Sequence, residues 1–151
     1  MLGRSGAFEW RMAVLQKPIQ VGSCWTQFVV QKFRVEGGRR VWVRDVSLKA
    51  VSSKSGRQDL AFQMPVGRWK GRPYLHRVVG WEFYRPAGMT WATFKNREVD
   101  HLEGDPRVVV RGGLEVVTPV ENSTRFWAAP RFGVRKRPAS VGAAMERPRR
   151  R

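Results

Sequence analysis

Cysteine is nearly missing from this chain. Cys24 stands alone in 151 residues, which excludes an intramolecular disulfide and gives no sign of a secreted context. With only His76 and His101 beside it, the sequence is too poor in soft ligands for a zinc staple of four. Long apolar runs are also lacking. None approaches the ~20 residues that a helix needs to span a bilayer. Acid is scarce as well: twelve Asp and Glu stand against 29 Lys and Arg, a net charge of +17.

What is present points to a small folded binder of polyanions. A length of 151 residues leaves room for one small domain with extensions. Hydrophobic content of 42%, with seven Trp and eight Phe, supports a modest core and argues against global disorder. Most of the basic residues are Arg, whose guanidinium forks onto phosphate with two parallel hydrogen bonds. A domain with a pI near 11.6 has the electrostatic footprint of a nucleic-acid partner. A merely soluble basic surface is the weaker reading, because self-repulsion at this charge density would destabilise the compact form.

Along the chain, residues 1–22 read as an N-terminal arm without periodicity. Their acid-poor start, with Arg4 and Arg11, faintly resembles an organelle-targeting segment, though it lacks an amphipathic run. Residues 23–127 read as a single α+β domain. Trp25 to Val35 is rich in β-branched and aromatic residues, Gly37-Gly38 permits a tight turn, and Arg39 to Leu48 returns, which predicts a hairpin. Leu60, Phe62 and Met64 alternate as on a short strand ended by Pro65. Leu75, Val78, Val79 and Phe83 recur at helical spacing, and Pro86 stops that helix. Residues 128–151 form an Arg/Pro-rich tail with one acid, Glu146, and are expected to be extended.

The most specific signal is Asp100-His101-Leu102-Glu103-Gly104, followed by Leu114-Glu115-Val116-Val117-Thr118-Pro119-Val120-Glu121-Asn122. A carboxylate and an amide oxygen suit a hard divalent ion. An imidazole beside that ion can take a proton from water. Pro119 fits the first turn of a helix with Thr118 as its N-cap, placing Asn122 one turn inside. The stretch resembles the HNH family, in particular its homing-type endonucleases, and keeps the Asp-to-Asn spacing of that family. The helix around His76-Arg77-Val78-Val79 is similar to one that commonly precedes the finger, so the resemblance covers Tyr74 to Trp127. It implies an α+β fold with a ββα-metal finger at 98–127, His101 as general base, and Asp100 and Asn122 as ligands of Mg²⁺ or Mn²⁺.

The departures matter as much. Gly113 stands where the family has the Asn that braces the catalytic loop, and glycine has no side chain to hydrogen-bond anything. A loosely held base loses much of its effect, since a misplacement near one ångström can cost on the order of a hundredfold. Val108-Val109-Val110 replaces polar residues that would face substrate, a surface better suited to packing on protein or a fixed RNA. The site reads as eroded, with His101, Asp100 and Asn122 vestigial and no cofactor required.

Two functions of different class follow. The first is a structural nucleic-acid-binding protein of HNH descent, an rRNA-binding component of an organellar (mitochondrial) ribosome among neighbouring proteins. Its expected phosphate contacts are Arg39, Arg40, Arg68, Lys70, Arg72, Arg131, Arg135, Lys136, Arg137, Arg147, Arg149, Arg150 and Arg151, with Trp42 and Trp69 as candidates for stacking on bases. The second is a working metal-dependent endonuclease that nicks or cleaves DNA. His76, set among apolar residues, reads as a packed or capping histidine.

Overall fold

The computed structural model describes residues 1–53, 56–102 and 104–128, and side chains to residue 124. It is a mixed α+β fold dominated by strands. Strands β1 (Gly3–Ser5), β2 (Phe8–Val21), β3 (Cys24–Glu36) and β4 (Arg39–Asp45) form an antiparallel meander. The expected N-terminal arm is therefore two strands instead. Phe8, Trp10 and Met12 supply the apolar alternation, and Trp10 enters the core with the other two packed against it. The β2–β3 ladder breaks its register between Val14 and Ile19. Pro18 lies in that gap, where the absence of an N–H breaks no ladder bond.

The hairpin turns follow from glycine. Gly37 and Gly38 both take positive φ, 55° and 78°, the type I′ geometry that matches strand twist. They join Glu36 to its partner Arg39. A second hairpin, β5 (Leu48–Ser52) with β6 (Gln58–Phe62), runs in register from Leu48↔Phe62 to Ser52↔Gln58. Strand β6 is buried from Asp59 through Phe62, on both faces.

Helix α1 (Leu75–Val79) continues as a π-helical turn over Gly80–Tyr84, and Arg85 leaves it in extended conformation ahead of Pro86. Leu75, Val78 and Val79 are fully buried among Phe28, Leu60, Phe62, Met64 and Phe94. A short helix α2 (Trp91–Phe94) follows, then β7 (Glu98–His101), β8 (Val108–Val109), β9 (Leu114–Val117) and α3 (Pro119–Ala128). Strands β7 and β9 pair antiparallel, His101 opposite Leu114. Thr118 and Glu121 form a reciprocal capping box at the start of α3: the Glu121 N–H donates to Thr118 Oγ1 at 3.1 Å, and the Thr118 N–H to Glu121 Oε2 at 2.9 Å.

Two features lock this C-terminal unit to the rest. Gly80 lies against Val99 of β7, where a Cβ would sit 2.6 Å from a valine methyl. Strand β8 pairs parallel with β3, Trp25↔Val108 and Thr26↔Val109. Val108, Val109 and Val110 are all buried. The apolar loop is thus not a face for an external partner; it completes the protein's own sheet.

Candidate functional site

Asp100 and His101 occupy adjacent positions of β7, and successive strand residues project to opposite faces. His101 is buried with Val99, whereas Glu98 and Asp100 are half-buried on the other side. Asn122 comes to that second side, where its Nδ2 donates to the Glu98 carboxylate. The strand therefore divides the three motif residues: Asp100 and Asn122 share one side, His101 the other.

His101 is not loosely held. Its Nδ1 lies 3.1 Å from the carbonyl oxygen of Val108. The chain just after His101 and just after Val108 is pinned by backbone bonds from Leu102 N–H to Gly113 O at 3.0 Å and from Gly113 N–H to Val110 O at 3.1 Å. Main-chain carbonyls do the bracing that an Asn side chain was expected to do. They point the ring inward. Its Nε2 is buried and has no hydrogen-bond partner among the described residues.

An ion of the Mg²⁺ or Mn²⁺ kind, which the HNH resemblance implies, requires oxygen donors and solvent room for its waters. Asp100 and Asn122 offer oxygens on one side of β7, but His101 lies on the other side and its imidazole turns its free nitrogen into the interior. These residues do not fit a catalytic centre of that type. No water-activating step follows from them.

What His101 does meet is His76 of α1 and Asp59 of β6. The two imidazole rings lie 4.8 Å apart, tilted by 50°. His76 Nδ1 is 3.7 Å from Asp59 Oδ1, beyond hydrogen-bonding distance. Arg57 holds Asp59 from outside with two bonds, 2.9 Å to Oδ2 and 3.2 Å to Oδ1. Burial pushes His76 well below the ordinary histidine range, and the nearby His101, Arg57 and Arg77 push the same way. Burial lowers His101 too, against the opposing pull of the Val108 carbonyl. Burial thus favours the neutral form of both rings.

A second constellation lies at the surface. A cleft of about 410 Å³ is lined by Arg68, Lys70, Arg72, Arg77 and Lys95 together with Trp69, Tyr74 and Trp91, and no carboxylate among the described residues lines it. The Arg68 guanidinium sits over both Trp91 and Trp81, 4.6 and 4.7 Å from the ring centroids. Arg77 is committed internally: it donates to the carbonyls of Phe94, Lys95 and Arg97 and so caps the end of α2. Lys70, Arg72 and Lys95 are exposed and make no salt bridge among the described residues.

Of the expected contacts, Arg68, Lys70 and Arg72 thus gather in one place. Arg40 does not join them, because it pairs with buried Glu9 at 2.7 Å; Arg39 is exposed beside it on β4. Trp42 is 56% exposed, whereas Trp69 is buried edge-on against Trp91 and cannot stack on a base. Arg131, Arg135, Lys136, Arg137, Arg147, Arg149, Arg150 and Arg151 lie outside the described residues. Sequence reasoning missed Asp59, Trp91 and Lys95. Only the Arg68-Trp69-Lys70 run hinted at the cleft.

Comparison with protein-family models, with curated proteins and with solved structures returned no match to this chain.

Proposed function

We propose that this protein binds nucleic acid, with ribosomal RNA of an organellar ribosome as the favoured partner, on a scaffold of HNH-type descent that has lost its nuclease chemistry. The observation that carries the reading is the cleft of Arg68, Lys70, Arg72 and Lys95 around Trp91 and Tyr74. Cations that track phosphate beside aromatic faces are the equipment of single-strand binding. The net charge of +17 supplies long-range attraction to the same partner. The inward turn of His101 supports a binding role over cleavage, since a general base must reach the water it activates.

The test is crosslinking of the native protein to its bound nucleic acid, followed by sequencing of what is recovered. Enrichment of ribosomal RNA is the expected result. Enrichment of DNA, joined by Mg²⁺- or Mn²⁺-dependent plasmid cleavage that disappears in His101→Ala, would replace this reading with the endonuclease one.

A further inference from the structure

We propose that Asp59, His76 and His101 form a binding site for one divalent transition-metal ion of the zinc class, clipping β6, α1 and β7 together. One ligand atom from each of the three residues lies within 4.8 Å of the others. Two imidazoles and a carboxylate make a donor set that selects borderline ions such as Zn²⁺ over Mg²⁺ or Ca²⁺, which prefer oxygen alone.

The unpartnered nitrogen is the independent observation. His101 Nδ1 faces a carbonyl oxygen, which can only accept, so the proton resides on Nδ1. Nε2 then carries a lone pair, yet it is buried and nothing among the described residues donates to it. A buried acceptor left in this way is costly and calls for an explanation. A metal ion supplies one. An imidazole that gives its Nδ1–H to a backbone carbonyl and its other nitrogen to a metal is a recurring arrangement, because the carbonyl fixes both tautomer and ring orientation.

The surroundings fit the same reading. Asp59 is oriented by two bonds from Arg57, as ligating carboxylates commonly are. Each carboxylate oxygen has a second lone pair to offer. The Arg57 side chain is 48% exposed, so solvent screens its charge from an interior cation. Tetrahedral zinc with bonds of about 2.0–2.1 Å would bring ligand atoms to roughly 3.3 Å from one another. Modest side-chain rotation closes the remaining gap.

Occupancy would also engage the nitrogen that a nuclease needs for its base. The site does not depend on the nucleic-acid reading and stands if that reading fails.

The experiment uses the full chain, stripped of metal by chelation and titrated with Zn²⁺ and with Co²⁺ as a spectroscopic probe. The expected result is one ion per chain, a rise of several degrees in Tm on adding Zn²⁺, and a shift of the His101 Nε2 and His76 ring resonances in long-range ¹H–¹⁵N spectra. Asp59→Asn and His76→Gln, which keep size and polarity, are expected to weaken binding at least tenfold. The spectra of the unsubstituted chain keep the test decisive if either variant fails to fold. Unmoved imidazole resonances at saturating Zn²⁺, or binding unchanged in both folded variants, would overturn the proposal.

Discussion

Gly80 and Val99 touch so closely that no side chain fits between them: a Cβ on Gly80 would fall 2.6 Å from Cγ2 and 3.1 Å from Cγ1 of the valine. In an exposed helix, glycine to alanine gains up to about 1 kcal/mol. Here overpacking works in the opposite direction by about 1–3 kcal/mol, and the steric effect wins. Gly80→Ala is expected to destabilise the fold by about 1–2 kcal/mol in urea unfolding. Adding Val99→Ala should make the pair less destabilising than the sum of the single changes. Strict additivity would mean that the two elements do not meet there.

The buried histidine pair makes stability depend on pH with a definite sign. Folding lowers both histidines from the ordinary value of 6.5, so below about that pH the unfolded chain binds protons that the folded chain refuses. Stability is then fully present above pH 6.5 and is lost as pH falls toward the lower folded values, by up to about 1.4 kcal/mol per pH unit for each histidine. Urea midpoints between about pH 7.5 and 5 check this. His76→Gln should flatten the curve, and an unaltered curve in that variant would rule out His76 as a source.

Gly113→Asn tests whether a lost amide is all that separates this loop from a catalytic one. An added Cβ meets Val110 Cγ2 and the Val110 carbonyl oxygen, each at 3.2 Å, and that carbonyl already accepts the Gly113 N–H. The substitution is expected to cost about 1 kcal/mol and to confer no metal-dependent cleavage, because His101 is already held and faces inward. Plasmid nicking by this variant would contradict the assigned ring orientation.

In the basic cleft, Lys70→Glu and Arg72→Glu should leave thermal stability unchanged, since both side chains are exposed. Together they are expected to weaken RNA binding tenfold or more at moderate salt. The slope of log affinity against log salt should become shallower by about 0.7–0.9 for each phosphate that the protein no longer neutralises. Filter binding across a salt series reads both quantities. An unchanged slope would place the RNA elsewhere on the molecule.

Local signals were legible in the sequence because local physics writes them. The Gly37-Gly38 turn, the stop at Pro86 and the Thr118 cap each depend on neighbours a few residues away. The pairing of β2 with β3 was missed although Phe8, Trp10 and Met12 alternate with Glu9 and Arg11; Pro18 punctuates that strand and hides its length. The Asp59–His76–His101 cluster left no trace in sequence spacing, since its members come from three elements and meet only once β6, α1 and β7 pack. His101 drew attention for its neighbours in sequence, Asp100 and Glu103. Its neighbours in space are different residues.

The parallel pairing of β8 with β3 bears on the order in which the chain can fold. A strand–loop–strand–helix unit is usually pictured as a module that can be moved between proteins. This one donates the middle of its loop to a sheet begun far earlier in the chain, with Val108 and Val109 seated beside Trp25 and Thr26. Closing so long a loop costs entropy before any contact repays it. As the chain emerges during synthesis, the N-terminal meander is therefore expected to form first, with its β3 edge waiting for Val108. Excised alone, residues 98–128 would expose three valines and a strand edge, and would be prone to aggregate rather than to fold.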